Sequence, residues 1–161
     1  FRTTEPSGLL LLGYGGTNTD RGGKKEIGDD FLALELVDGR LEVSYDLGSG
    51  HRLRPAVVRS GDRVLNDGKW HRVELERNGR KGTLSVDGEE PSKKTLSETV
   101  VDGESPSGPD VTSENLDLDT PPILYVGGLP EQKSVKRRLA AISTSFKGCI
   151  RDVSINGKPL D

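Results

Sequence analysis

The chain has 161 residues, which is enough for one domain with a hydrophobic core. Hydrophobic residues make up only 31% of it and charged residues 30%, while 21 glycines and 9 prolines indicate many turns. No apolar run approaches the roughly 20 residues that a membrane-spanning helix needs, so membrane insertion is not expected. The chain has no recognisable signal segment and opens directly at Phe1, which favours a domain excised from a longer protein.

The net charge of −3 hides an uneven distribution. Residues 87–119 contain ten acidic and two basic residues, so this segment carries −8 and the remainder about +5. A mildly basic body with one acidic segment suits a protein that binds polyanions, and it equally suits an ordinary soluble domain.

Apolar residues alternate with a period of two along most of the chain, which predicts β-strands. Leu9 to Leu12 is a continuous apolar run of the kind found in central strands, and Ile123 to Val126 is another. The only predicted helix is a short one over Val135 to Ala141.

Tight turns separate the predicted strands. Asp38-Gly39 joins a strand containing Leu32, Leu34 and Leu36 to a strand over residues 41–45, which predicts a hairpin. Asn78-Gly79 predicts a second hairpin, between residues 73–75 and 84–86, and Asn156-Gly157 marks a further turn. Many short strands with frequent turns predict an all-β, two-sheet antiparallel sandwich.

Residues 88–116 are rich in Ser, Thr, Pro, Asp and Glu and have no periodicity, which predicts a long acidic and polar loop. Oxygen-bearing side chains lie at two predicted strand boundaries, Asp29-Asp30 and Asp117-Leu118-Asp119. Ca²⁺ prefers carboxylate and carbonyl oxygens. Because Asp is also common at turns, composition alone leaves an ordinary turn role open.

Basic residues cluster at several places and could bind sulfated or carboxylated polysaccharide through charge and fork geometry. A solvated surface role for each of them stays open as well. The candidates for an anionic glycan site are Lys24, Lys25, Arg52, Arg54, Lys93, Lys94, Lys133, Lys136, Arg137 and Arg138.

An ordered set of motifs carries a family resemblance. Asn66-Asp67-Gly68-Lys69-Trp70-His71 is followed by Leu84 to Gly88, then Tyr125 to Pro130, then Phe146-Lys147-Gly148-Cys149-Ile150. This set resembles the laminin G-like domain, a module of extracellular matrix and synaptic proteins. The resemblance covers residues 1–161 as a single domain and implies a curved antiparallel jelly-roll (concanavalin-like) sandwich.

The resemblance implies a calcium site at the rim of the sandwich. It places two side-chain ligands on Asp30 and Asp119 and two carbonyl ligands on Leu47 and Asp117. It also implies that Cys149 pairs with a cysteine further towards the C-terminus, beyond Asp161, and that the family's first strand lies upstream of Phe1. A missing first strand would expose a sheet edge.

The most similar members of the family, judged by stretches such as Tyr45 to Gly50 and Leu116 to Thr120, are the agrin domains and then those of perlecan. They imply a secreted, non-catalytic module of the extracellular matrix or basement membrane. Its expected partners are acidic dystroglycan-type glycans and heparin or heparan sulfate, with calcium as cofactor. No nucleic-acid partner is expected.

Three other functions are alternatives for a chain of this kind. A neurexin-type, calcium-dependent protein-protein module at synapses shares the fold and the metal, so the sequence separates it poorly from a glycan binder. A glycoside hydrolase would need paired carboxylates, and the chain has no Glu-x-Asp-x-Glu pattern and only 4% aromatic residues. Steroid transport would need an apolar pocket, which the hydrophobic content does not favour.

Two motif residues are expected to have structural roles. Trp70 is predicted to pack in the core, with His71 at the sheet surface. Gly127-Gly128 is interpreted as a strand-end turn, because no phosphate-binding glycine pattern or helix follows it.

Overall fold

A computed structural model describes residues 1–14, 17–19, 25–27, 31–46, 53–54, 56–78, 81–89, 92–95, 99–100, 123–129 and 144–160. The described residues form β-strands and turns. The strands are β1 (Gly8–Tyr14), β2 (Thr17–Thr19), β3 (Lys25–Ile27), β4 (Phe31–Val37), β5 (Arg40–Asp46), β6 (Leu53–Arg54), β7 (Ala56–Arg59), β8 (Val73–Asn78), β9 (Lys81–Val86), β10 (Ser92–Thr95), β11 (Thr99–Val100), β12 (Ile123–Val126), β13 (Ser154–Ile155) and β14 (Lys158–Pro159).

The largest sheet has five strands in the order β12-β1-β4-β5-β7, and its four pairings are antiparallel. Strand β1 lies inside this sheet, as its continuous apolar run predicts. The apolar run of β12 predicted a central strand as well. Instead, β12 is an edge strand of the described sheet, and its Val126 is exposed. Strands β10, β9 and β8 form a second, three-stranded sheet.

The predicted hairpins are present. Strands β4 and β5 pair so that Leu36 faces Leu41 and Leu34 faces Val43. Asp38 and Gly39 between them have φ values of 49° and 78°, the two positive angles of a type I′ turn. Strands β8 and β9 form the second hairpin, and Asn156-Gly157 is the turn between β13 and β14.

The hydrophobic core lies on both faces of the five-stranded sheet. The larger cluster joins β4 and β5 to the three-stranded sheet, through Leu36, Leu41 and Val43 on one side and Leu84 and Val86 on the other. A smaller cluster on the opposite face contains the buried residues Leu9, Leu12, Phe31 and Ala33. Leu9 and Leu12 share that face because the register between β1 and β4 shifts between Leu9 and Leu11. The all-β sandwich predicted from the alternation is therefore confirmed.

The segment 88–116 was predicted as a loop, and the structure places two short strands inside it. Strand β10 pairs with β9, and β11 pairs with β6. Strand β10 is polar throughout and β11 has only two residues, so neither shows the apolar alternation that identifies half-buried strands. Backbone pairing holds both strands instead. The helix predicted over Val135 to Ala141 lies outside the described residues. Within the described part of the chain, no helix is long and apolar enough to cross a membrane.

Candidate functional site

The four predicted calcium ligands, Asp30, Leu47, Asp117 and Asp119, lie outside the described residues. Their neighbours in the chain are described. Strand β4 begins at Phe31, directly after Asp30, and β5 ends at Asp46, directly before Leu47; Phe31 and Asp46 are paired in the sheet. Tyr14, the last residue of β1, pairs with both Phe31 and Ile123, the first residue of β12. One end of each of the strands β1, β4, β5 and β12 therefore lies on the same side of the five-stranded sheet, the side where β1 ends.

The predicted glycan-binding residues are only partly located. Lys25 lies in β3, Arg54 in β6, and Lys93 and Lys94 in β10, each described by its backbone alone. The other predicted residues, Lys24, Arg52, Lys133, Lys136, Arg137 and Arg138, lie outside the described part of the chain.

The prediction for Trp70 and His71 was wrong, because their positions are exchanged. Trp70 is 37% exposed, and His71 is 4% exposed. The inward-facing series of His71, Val73 and Leu75 simply continues the alternation of β8 towards its N-terminal side. Alternation along this segment overrides the hydrophobicity of the indole ring.

The imidazole of His71 lies between two carboxylates. Its Nε2 is 3.0 Å from Asp67 Oδ1, and its Nδ1 is 2.9 Å from Asp87 Oδ2. The second oxygen of Asp87 accepts a hydrogen bond from the Arg72 amide at 2.8 Å, and Arg63 contacts the same carboxylate at 3.0 Å. Both ring nitrogens therefore lie within hydrogen-bond distance of a carboxylate oxygen. His71 therefore has no nitrogen left to offer a substrate, and the cluster joins the 67–72 turn to the end of β9.

These contacts shift the pKa values of the two carboxylates, Asp67 and Asp87. The hydrogen bond from the Lys69 amide, followed by that from His71, lowers the pKa of Asp67 below its ordinary value. Burial raises the pKa of Asp87, but the hydrogen bonds from His71 and the Arg72 amide, together with nearby positive charge, outweigh burial and lower it overall. Both carboxylates are therefore held in their charged form. Among the described residues, no group of three or more His, Cys, Asp and Glu side chains could hold a metal ion.

Two arginines make cation-π contacts with the exposed Trp70 ring. The guanidinium of Arg151 lies 4.2 Å from the ring centroid, and that of Arg2 lies 5.1 Å from it. Beside them is a depression of about 360 Å³, lined by Arg2, Thr3, Thr4, Glu5, Gly68, Lys147, Gly148 and Cys149. We call Trp70, Arg2, Arg151 and Lys147 the tryptophan-arginine surface. The members of this surface lie far apart in the chain, so no sequence motif predicts it.

The motif Phe146-Lys147-Gly148-Cys149 joins the two ends of the chain at this surface. Arg2 and Cys149 exchange two backbone hydrogen bonds of 2.9 Å, and Thr3 Oγ1 donates to the Lys147 carbonyl at 2.6 Å. Cys149 is exposed and has a free thiol in the described structure. The predicted pairing with a cysteine beyond Asp161 stays a prediction.

Comparison with known proteins supports the fold and names the family. A family model described as "Laminin G domain" matches residues 1–161. Human neurexin-2 is 37% identical over 169 residues, and rat neurexin-2 is 37% identical over 172 residues. Each alignment covers 100% of this chain and 9% of the relative, so the chain spans a small part of those proteins.

Two solved structures resemble the chain. The mouse laminin alpha1 chain, domains LG4-5, gives a TM-score of 0.71 at 29% identity, covering 99% of this chain and 34% of that one. The LG1-3 region of the laminin alpha2 chain gives a TM-score of 0.67 at 26% identity, and the match covers 99% of this chain and 27% of that one.

The predicted similarity to particular members of the family was wrong. Agrin was expected first and perlecan second, whereas the curated relatives described above are neurexins. The family itself is confirmed. With a family model matching residues 1–161 and relatives that align over the full chain, this protein belongs to the laminin G domain family.

Proposed function

We propose that the chain is a non-catalytic extracellular adhesion module that binds acidic glycans of a cell-surface receptor, with a calcium ion at the rim of the sandwich. The glycans would be of the dystroglycan type or heparin and heparan sulfate, and the parent protein would lie in the extracellular matrix. The observation that carries the proposal is the family match over residues 1–161.

The geometry of the five-stranded sheet supports the calcium part of the proposal. Asp30 and Leu47 directly adjoin two paired residues, Phe31 and Asp46, at one edge of that sheet. Asp119 precedes Ile123 by four residues, and Ile123 pairs with Tyr14 at the same edge. An extended chain covers about 3.4 Å per residue. Asp30 is one residue from Phe31 and Asp119 is four residues from Ile123, and Phe31 and Ile123 both pair with Tyr14, so the two aspartates could approach one another. Two carboxylates and two carbonyls match the oxygen ligands that Ca²⁺ prefers.

Such a rim would bind a glycan by completing the metal shell. Four protein ligands leave coordination positions open, because Ca²⁺ takes six to eight oxygens. A uronate or phosphate oxygen could fill one of these positions, and predicted glycan-binding bases such as Lys25 and Arg54 would supply further charge.

A protein ligand is the second candidate, and the 37% identity to human neurexin-2 is consistent with it. In this alternative, the calcium rim would grip a protein receptor in the manner of a synaptic adhesion module. The two functions differ in their sensitivity to salt, because screening weakens exposed charge contacts more than a packed protein interface.

The proposal predicts that the chain binds immobilised heparin or dystroglycan-type glycan in millimolar calcium and is released by a chelator. We expect the affinity to fall by at least about tenfold between 50 and 300 mM NaCl, because several exposed ionic contacts are screened together. Surface plasmon resonance with and without EGTA measures both effects. Absence of glycan binding at low salt, with calcium-dependent binding to a protein receptor, would favour the alternative.

A further inference from the structure

Trp70 stands out among the exposed residues of this chain. It is the single tryptophan, and it is 37% exposed, although its neighbour His71 is buried. The guanidinium groups of Arg2 and Arg151 both lie within about 5 Å of its ring centre. Cation-π contacts hold the two arginines against the ring. The Trp70 residue nevertheless stays 37% exposed, and the Arg151 side chain is 61% accessible.

The tryptophan-arginine surface carries an excess of positive charge. Arg2 and Lys147 have no carboxylate partner among the described residues, and Arg151 has only Asp152, at 3.4 Å. That pair is highly exposed, with side chains 61% and 87% accessible, so it neutralises little. Arg2 and Arg151 also repel each other, because both lie close to one ring and well within a Debye length. An anion placed between them would relieve this repulsion.

The adjoining depression indicates which kind of anion fits. Its lining contains two cations, Arg2 and Lys147, and one carboxylate, Glu5, so the charge of the lining is positive on balance. The other lining residues are small or polar, and none is a large apolar side chain: Thr3, Thr4, Gly68, Gly148 and Cys149. Such a lining suits a polar ligand rich in hydroxyl groups, and the exposed part of the indole beside it can contact such a ligand. Arginine forks pair well with sulfate and carboxylate groups. These features favour an anionic sugar over an acidic peptide with apolar side chains.

The surface is also separate from the proposed calcium rim. The strand ends that adjoin the proposed rim residues Asp30 and Leu47 in sequence lie beside Tyr14, where β1 ends. The depression lies beyond the other end of β1, where Gly39 donates to the Pro6 carbonyl and Asn66 donates to the Thr4 carbonyl. The seven residues of β1 span about 20 Å, so the two places lie at opposite ends of this strand.

We propose that the tryptophan-arginine surface is a second glycan-binding site, selective for sulfated or uronate-containing sugars and independent of calcium. It deepens the proposed function, on which it rests for the class of ligand, and it adds a contact that the rim does not supply. A long acidic glycan could occupy both sites at once and so bind more tightly than at either site alone.

The test uses Trp70 itself as the reporter. The intact chain is titrated with a heparin-derived hexasaccharide in EGTA, and tryptophan emission is followed. We expect saturable quenching that is unchanged when calcium is added. The double variant Arg2→Gln, Arg151→Gln should bind about tenfold more weakly or worse, because each arginine supplies charge-assisted hydrogen bonds. Lys158→Gln, which removes an exposed lysine from β14, should bind as the unmodified chain does.

A second readout keeps the test independent of the reporter. Calorimetric titration of Trp70→Phe with the same hexasaccharide should show weaker binding, while its thermal midpoint stays close to that of the unmodified chain. The proposal is overturned if quenching requires calcium, if the double variant binds normally, or if poly-glutamate quenches and the hexasaccharide does not. Loss of rim calcium in Asp119→Ala tests the proposed function separately, because it should leave the quenching in EGTA intact.

Discussion

Replacing Gly148 with alanine is expected to lower the free energy of unfolding by about 3 kcal/mol, since overpacking and backbone strain act together. Gly148 has a φ of 155°, a conformation that residues with a side chain rarely adopt. A β-carbon there would clash with the Arg2 carbonyl and lie 2.9 Å from two atoms of the Phe146 ring. The shift needed to relieve these clashes would break the paired hydrogen bonds between Arg2 and Cys149.

Urea unfolding, followed by circular dichroism, measures this effect. Gly61→Ala is the matched control, because Gly61 is exposed and a β-carbon there would meet no atom within 4 Å. We expect the control to unfold at nearly the same urea concentration as the unmodified chain. Equal midpoints for Gly148→Ala and Gly61→Ala would show that the Arg2–Cys149 connection does not depend on a glycine at 148.

The second large effect is expected for Asp87→Asn, with a loss of about 2 kcal/mol, in the range for hydrogen bonds to charged groups. Asp87 has a φ of 53°, and asparagine tolerates this left-handed conformation, so the backbone turn is kept. The amide, however, cannot accept hydrogen bonds from His71, Arg63 and the Arg72 amide through two oxygens. The buried imidazole would lose one of its two carboxylates.

Glu89→Gln is the control for that loss. Glu89 also pairs with Arg63, at 2.8 Å, but its side chain is 63% exposed. An exposed pair contributes at most about 1 kcal/mol, so this variant should be nearly as stable as the unmodified chain. A similar loss in both variants would mean that the surface pair with Arg63, rather than the contact with His71, accounts for the contribution of Asp87.

The same cluster predicts a dependence on acid. The pKa values of Asp67 and Asp87 are lowered in the folded chain, so their contribution to stability is complete above the unfolded value, near 4, and is lost as the pH falls through the folded values. Between pH 5 and pH 2, the unmodified chain should therefore lose more stability than Asp87→Asn, which lacks one of the two groups. Thermal midpoints measured across that range test the sign. A parallel decline of the two proteins would contradict it.

Much of the fold follows from the period-two alternation and the turn dipeptides. Asp38-Gly39 and Asn156-Gly157 both take two positive φ angles, as their sequences predict. Alternation also placed Leu32, Leu34 and Leu36 on one face, where they pack against the second sheet. These features are local, and each depends on a few neighbouring residues.

The incorrect and missing predictions concern residues where alternation was not followed, or residues whose contacts are with distant parts of the sequence. Trp70 was predicted to pack in the core, although alternation with Val73 and Leu75 places His71 inside instead. The contacts of His71 with Asp87 and of Trp70 with Arg2 and Arg151 could not be predicted, because these partners lie far away in the sequence. Strand β10 was missed because its polar residues carry no alternation, and it is held by backbone pairing with β9.

The most direct test of the central claim is a calorimetric calcium titration of the chain beside Asp119→Ala and Asp62→Ala. Asp62 is an exposed aspartate outside the proposed rim, so its variant controls for the loss of one negative charge. We predict one binding event with a dissociation constant of about 0.1 to 1 mM, the range of extracellular modules. It should be kept in Asp62→Ala and lost in Asp119→Ala. No calcium binding by the unmodified chain, or unchanged binding in Asp119→Ala, would contradict the rim site.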